Sequence, residues 1–385
     1  MGSGSEQQTV NEVSGGASTN DESGVADGRH QALNQWAGHA LGRSEPLISR
    51  SLGGDASFRR YFRHQRSTKG TLLLVDAPPE QENNPAFLLA AGELRGAGLP
   101  VPHILSCDLE NGFLMVEDFG DRLYLPELLA AQQAGDRDTA DILYQQAMRA
   151  LLVLQRSPLP SALPDYDHEL LERELRLFDE WFCEGMLGMT LSAAEQALLN
   201  DTWRLLITAA LRQPPVRVHR DYHSRNLMIR QSAEGEPLIN ALPGIIDFQD
   251  AVVGPLTYDL VSLLRDCYIV WPDEDVERWL QAFHRQACEL EIITDCYGLD
   301  RFRRDFDLMG LQRHIKVLGI FCRLFLRDGK QRYLADLPVV MQYVMDVAAR
   351  HPEMADFLAW FRAGPVPAMQ QRLAQMGIAG PEAAS

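Results

Sequence analysis

The 385-residue chain is 46% hydrophobic and 8% aromatic, a composition that predicts a soluble globular protein with a large core. Its formal net charge of −17 excludes a general nucleic-acid binder, because an acidic surface repels phosphate backbones. No apolar run approaches the roughly 18 residues a membrane helix needs.

Residues 1–28 are rich in Gly, Ser, Glu and Asp and lack aromatic residues, which predicts a disordered tail without a secretory leader. Six scattered cysteines with no C-x2-C pair predict buried free thiols in a reducing cytoplasm, rather than zinc ligands or disulfides. Residues 30–41 carry the apolar spacing of a short helix, and 47–51, 58–63 and 72–76 read as strands. The link Gly53-Gly54-Asp55-Ala56-Ser57 is a small-residue turn whose backbone N–H groups can approach an anion. Arg59, Arg60, Arg63, His64 and Arg66 follow it, a cationic cluster that suits phosphate as well as a solvated sheet edge. Gly54, Ser57, Phe58, Arg60 and Arg63 are therefore candidate nucleotide contacts.

A helix over 85–97 ends at Gly96-Ala97-Gly98, and strands over 104–107 and 113–116 complete a five-stranded antiparallel sheet. Met115 and Glu117, on the last strand and at its exit, join the nucleotide set. Glu117-Asp118-Phe119-Gly120 reads as a hinge. A nucleotide-binding lobe is thus expected at 29–120, a second lobe at 121–365, and a loose tail at 366–385.

The second lobe reads as mainly helical, over 125–133, 138–155, 167–186, 192–211, 255–270, 275–291, 301–327 and 335–350. Ser192 and Glu195 make a capping box. Leu311, Ile315, Leu318, Cys322 and Phe325 recur at four–three spacing as a buried stripe, with Arg313, Lys316 and Arg323 off it. The expected fold class is α+β, with two lobes.

Between these helices lies Val218-His219-Arg220-Asp221-Tyr222-His223-Ser224-Arg225-Asn226, a short strand running into a loop. Leu227-Met228-Ile229 leaves it as a strand, and after a polar turn Ile245-Ile246-Asp247 reads as its partner. Paired, these strands hold Asn226 and Asp247 side by side with Asp221 nearby. That arrangement serves ATP-dependent phosphoryl transfer to a hydroxyl: Asp221 orients the hydroxyl or takes its proton, and Asn226 and Asp247 hold Mg2+. His223 is placed to reach the transferring group. His219 is expected to brace the loop, and Asp259 either to supply a helix N-terminal charge or to accept backbone N–H groups from the loop.

His219-Arg220-Asp221 with Asn226 and Asp247 resembles the catalytic core shared by protein kinases and the aminoglycoside-phosphotransferase superfamily. Only eleven residues lie between Asp247 and Asp259, too few for an activation segment, and His223 matches the small-molecule branch. Longer stretches are similar to the anomeric N-acetylmuramate/N-acetylglucosamine kinases: 54–63, 74–79, 218–228, 247–251, 254–266 and 310–324. The resemblance implies a two-lobed protein-kinase-like fold and transfer of the ATP γ-phosphoryl group to the C1 hydroxyl of an amino sugar in peptidoglycan recycling. The rivals are a kinase for an aminoglycoside or choline and an inactive nucleotide-binding scaffold. No nucleic acid, membrane or obligate protein partner is implied.

The third strand lacks the lysine usual in this fold, so Arg60 or Arg63 is expected to neutralise the α- and β-phosphates, with Glu93 the acidic candidate in the following helix. Arg265, Arg313, Lys316 and Arg323 are candidate partners for a lactyl carboxylate, or else members of structural ion pairs.

Overall fold

The computed structural model describes residues 22–53, 58–66, 70–159, 162–231, 236, 238 and 241–378, with side chains from residue 28 onward. The chain forms two compact units: Met1–Glu82 with Leu105–Val116, and Asn83–Ile104 with Glu117–Ser385.

In the first unit, α1 (Glu22–Ala40) precedes β1 (Ser49–Ser51), β2 (Arg60–Gln65) and β3 (Thr71–Asp76). These strands join β4 (Ile104–Asp108) and β5 (Phe113–Glu117) in a five-stranded sheet of order β1-β2-β3-β5-β4. β2 pairs antiparallel with β1 (Ser49 opposite His64) and with β3 (Arg60 opposite Asp76). Alternation dictates which face is filled: Phe62, Leu72, Leu74, Phe113 and Met115 pack against Leu33 and Ala37 of α1. Helix α1 thus begins within the segment expected to be disordered, while residues 1–21 lie outside the described residues. The β4–β5 turn needs glycine at 112, where φ is 71° and a Cβ would sit 2.0 Å from the Ala77 carbonyl oxygen.

The second unit opens with α2 (Asn84–Gly96), capped by Asn83, whose side chain accepts from Ala86 N. α3 (Tyr124–Ala134) stops at left-handed Gly135, and α4 (Arg137–Arg156) and α5 (His168–Leu177) start at Asp136 and Asp167 caps. α5 runs on as a π-helix over Phe178–Met186, a change of winding inside the single helix expected over 167–186. α6 (Ala193–Leu211) carries the Ser192–Glu195 capping box.

Strands β6 (Pro215–Val218) and β9 (Val252–Pro255) pair antiparallel, as do the two-residue strands β7 (Leu227–Met228) and β8 (Gly244–Ile245). α7 is only Tyr258–Leu264, shorter than the helix expected over 255–270, because Pro255 ends β9 and the chain leaves helical geometry at Arg265. α8 (Asp273–Glu289), α9 (Leu299–Asp328), α10 (Leu337–Ala348), α11 (Ala355–Ala363) and α12 (Pro365–Gln375) complete the unit. The loose tail expected from 366 is corrected by α12, whose Val366, Met369 and Leu373 are buried; 379–385 lie outside the described residues.

α9 is the axis of this unit. Leu311, Ile315, Leu318 and Cys322 are fully buried, and burial of each large aliphatic side chain contributes about 1.5–3 kcal/mol. Contrary to a one-sided stripe, Arg313 and Lys316 are buried too, because α5, α6, α7, α10 and the π-helix surround α9. Among the cysteines, all free, Cys183, Cys267 and Cys322 are buried as expected, whereas Cys107 and Cys296 are exposed and Cys288 is half-buried. Among the described residues no helix is long and apolar enough to cross a membrane.

Candidate active site

β6 delivers the chain into the loop His219–Asn226 and β7 takes it away, so the loop is held at both ends by sheet pairing. Leu227 faces Ile245 in the β7–β8 register, which brings the preceding Asn226 beside the following Asp247. The Asn226 amide donates to Asp247 Oδ2 at 3.2 Å and to the Asp221 carbonyl at 3.0 Å. Both amide protons are thereby used, and the side-chain oxygen is the atom left for a cation. Gln249 donates to the other Asp247 oxygen at 2.8 Å. An amide oxygen and a carboxylate are hard donors suited to Mg2+, which usually completes its shell with phosphate and water oxygens. Among the described residues no group of three His, Cys, Asp or Glu side chains is arranged to hold a metal unaided.

Two non-glycine residues of the site are left-handed, Arg220 at φ 76° and Asp247 at φ 63°. Such backbone persists only where the surroundings fix it. For Arg220 the fixing groups are clear. Asp259, in the first turn of α7, accepts the backbone N–H groups of His219 (2.7 Å) and Arg220 (3.0 Å). The Arg220 guanidinium pairs with Glu174 of α5, which also receives Lys316 Nζ at 2.9 Å and the Tyr166 hydroxyl. Lys316 in turn donates to the Tyr258 hydroxyl at 2.9 Å.

His219 is fully buried and braces the loop: Nδ1 accepts the Asp221 N–H (3.2 Å), which leaves the Nε2 proton for the Ile246 carbonyl (3.1 Å). Burial lowers its pKa to about 4, so the ring is neutral. Burial also pushes the Asp259 carboxyl up to about 7, against the downward pull of its two N–H donors. For Asp221 burial acts upward as well, but Lys316, His223, Arg313 and Arg220 outweigh it and hold the carboxyl below its ordinary value. Asp221 is consequently ionised at neutral pH. His223 lies edge-on to Tyr268 at 5.3 Å, and burial lowers its pKa. The far side of the loop is tied by Asp266, which accepts Ser224 N (3.0 Å) and Ser224 Oγ (2.5 Å).

Asp221, His223, Asn226 and Asp247 thus belong to one cluster, with Lys316 and Arg313 acting on it. Arg265 is drawn instead to Asp307 at 2.6 Å. In the first unit, Arg60 pairs with Asp76, which also takes Arg29 at 2.5 Å, and Arg63 is buried in β2. Phe58 is exposed with its N–H on Glu82, and Met115 is a core residue. Gly54 and Ser57 lie outside the described residues. In the second unit, Glu117 accepts His103 N–H at 3.2 Å, and Glu93 is taken by Arg217 of β6 at 3.0 Å. Sequence reasoning missed Glu174 and Tyr166. Nothing in the run Glu169, Glu172, Glu174 distinguishes the buried carboxylate from its less buried neighbours.

The class of protein is a phosphotransferase: the family model described as "Phosphotransferase enzyme family" matches residues 49–303, and the chain belongs to that family. It is 45% identical over 78% of its length to the N-acetylmuramate/N-acetylglucosamine kinase of Pseudomonas putida, covering 84% of that protein. The kinase of the same name from Pseudomonas aeruginosa is 41% identical over 86% of this chain and 95% of its own. The solved Plasmodium vivax ethanolamine kinase shares the fold at 12% identity, with TM-score 0.55 over 77% of this chain and 82% of that one.

Proposed function

We propose that the protein transfers the γ-phosphoryl group of ATP to the anomeric C1 hydroxyl of N-acetylmuramate and N-acetylglucosamine, a cytoplasmic step of cell-wall sugar recycling. The observation that carries this reading is the ionised Asp221 beside the Asn226–Asp247 pair, in a chain 45% identical to a kinase named for those sugars. Asp221 orients the sugar hydroxyl and accepts its proton as the oxygen bonds to phosphorus; the bond from phosphorus to the β-phosphate oxygen breaks, and ADP departs. Mg2+ held by Asn226 and Asp247 would spread the phosphate charge. The weak basicity of Asp221 suits late proton transfer, with orientation as its larger contribution. His223 faces the transferring group. Phe58, Arg60, Arg63, Met115 and Glu117, with Gly54 and Ser57, are the nucleotide contacts proposed from the sequence.

The test is ATP consumption with N-acetylmuramate, N-acetylglucosamine, choline and kanamycin, with product linkage read by phosphorus–proton coupling at C1. Turnover confined to the two sugars, lost by about 10²–10⁴-fold in Asp221→Asn, is expected. Turnover on choline or kanamycin alone, or independent of any acceptor, would overturn it. Mg-dependent ATP binding that survives Asn226→Ala with Asp247→Ala rules out the metal assignment. Unchanged ATP affinity in Arg60→Ala with Arg63→Ala rules out the phosphate assignment.

A further inference from the structure

The candidate sugar-contacting cations are not equivalent. Arg265 pairs with Asp307, lies over the Phe306 ring at 4.5 Å and lines a separate cavity of about 230 Å³. Lys316 is committed to Glu174 and Tyr258. Arg323 sits ten residues beyond Arg313 on α9, about 15 Å along the helix and too far for a group on the same sugar ring.

Arg313 stands apart. It is only 4% exposed, forms no hydrogen bond or ion pair among the described residues, and keeps Nε and Nη1 buried without an acceptor. A guanidinium does not shed its proton, so burial leaves a desolvated charge with unmet donors. The nearby carboxylates do not meet them. Asp266 gives one oxygen to Ser224 and the other to Tyr268 N–H (3.0 Å), and Asp221 serves the reacting hydroxyl. Arg313 is near enough for its charge to act on both. The buried Nδ1 of His223, also without a partner, lies in the same field. Two buried side chains with unmet polar atoms, Arg313 and His223, thus lie within electrostatic reach of Asp221.

N-acetylmuramate differs from N-acetylglucosamine by a lactyl ether on O3, which ends in a carboxylate. C1 and C3 are separated by one ring carbon, so a sugar with its C1 hydroxyl on Asp221 carries that carboxylate within a side chain's length. We propose that Arg313 receives the lactyl carboxylate of N-acetylmuramate and is the residue by which the site distinguishes that sugar from N-acetylglucosamine. The inference rests on the sugar-kinase reading above. An arginine fork matches a carboxylate with two parallel N–H···O bonds, and the incoming anion fills an acceptor position that the protein itself does not supply.

The experiment is a cycle between Arg313 and the carboxylate. kcat/KM is measured for wild type, Arg313→Gln and Arg313→Lys on N-acetylmuramate, its lactyl amide and N-acetylglucosamine. Wild type should favour the acid over the amide by about ten- to a hundredfold, the ordinary effect of a charge-assisted hydrogen bond, and Arg313→Gln should abolish that ratio. Arg313→Lys should restore part of it. The acid-to-amide ratio is insensitive to partial misfolding, and the amide requires no mutation. A wild type indifferent to the amide overturns the proposal. So does a ratio that survives Arg313→Gln, or an equal loss on all three sugars, which would place Arg313 on the phosphoryl group. Absence of wild-type turnover on every sugar overturns the function proposed above, and this inference with it.

Discussion

The carboxylate of Asp259 accepts the backbone N–H of His219, forty positions earlier, at 2.7 Å, and its second oxygen takes the N–H of Arg220 at 3.0 Å. One side chain thus sets the backbone that aims Asp221. Asp259→Asn replaces an acceptor with an N–H2 group facing a buried N–H. A loss of about 2–4 kcal/mol in chemical denaturation is expected, together with a fall in kcat.

Glu174 is the shared counter-ion of Arg220 and Lys316. Glu174→Gln removes the counter-charge of two buried cations and should cost about 3–5 kcal/mol, measured by urea unfolding. Tyr166→Phe removes a single donor to Glu174 and should cost about 1 kcal/mol.

Two buried histidines give a pH signature. His219 is lowered to about 4 and His314 to about 3, both by burial, whereas an unfolded histidine titrates near 6.5. Between those values the unfolded chain binds the protons, so their contribution to stability is complete above pH 6.5 and is lost as the pH falls toward 4. Asp259, raised to about 7, acts the other way, because its protonated form is favoured in the folded state. The difference between wild type and His314→Gln isolates one histidine. Stability of wild type relative to the variant should drop by on the order of 3 kcal/mol from pH 7 to pH 4.

Gly319 packs against the start of the π-helix, where an added Cβ would lie 2.3 Å from the Leu177 carbonyl carbon. Backbone cannot swing aside as a side chain would. Gly319→Ala should destabilise by about 2–3 kcal/mol or more in a thermal melt.

The strands of the five-stranded sheet, the β7–β8 pair and the Asn226–Asp247 juxtaposition were legible because alternation, short loops and a fixed register act locally, whereas β9 was not foreseen. The capping box at Ser192 was legible for the same reason. The Glu174–Arg220–Lys316 network was not, since its members come from α5, the His219–Asn226 loop and α9, and charged residues carry no periodicity that names a partner. The Arg217–Glu93 pair spans 124 positions and was equally invisible. α12 lies in the segment expected as a loose tail; its Pro365 and Pro367 fall in the first turn, where proline is tolerated in a helix. The π-helix left no trace, because its side chains keep an amphipathic pattern close to that of an α-helix.

The 30-residue α9 fixes its rotational phase at two places, through Gly319 against Leu177 and through Lys316 against Glu174. One residue added between those points would turn the helix by about 100° and satisfy one contact only by breaking the other. α9 therefore works as a keyed shaft rather than a spacer. A residue inserted between Lys316 and Gly319 should therefore unfold or distort the unit, whereas the loops at the two ends of α9 should accept changes in length.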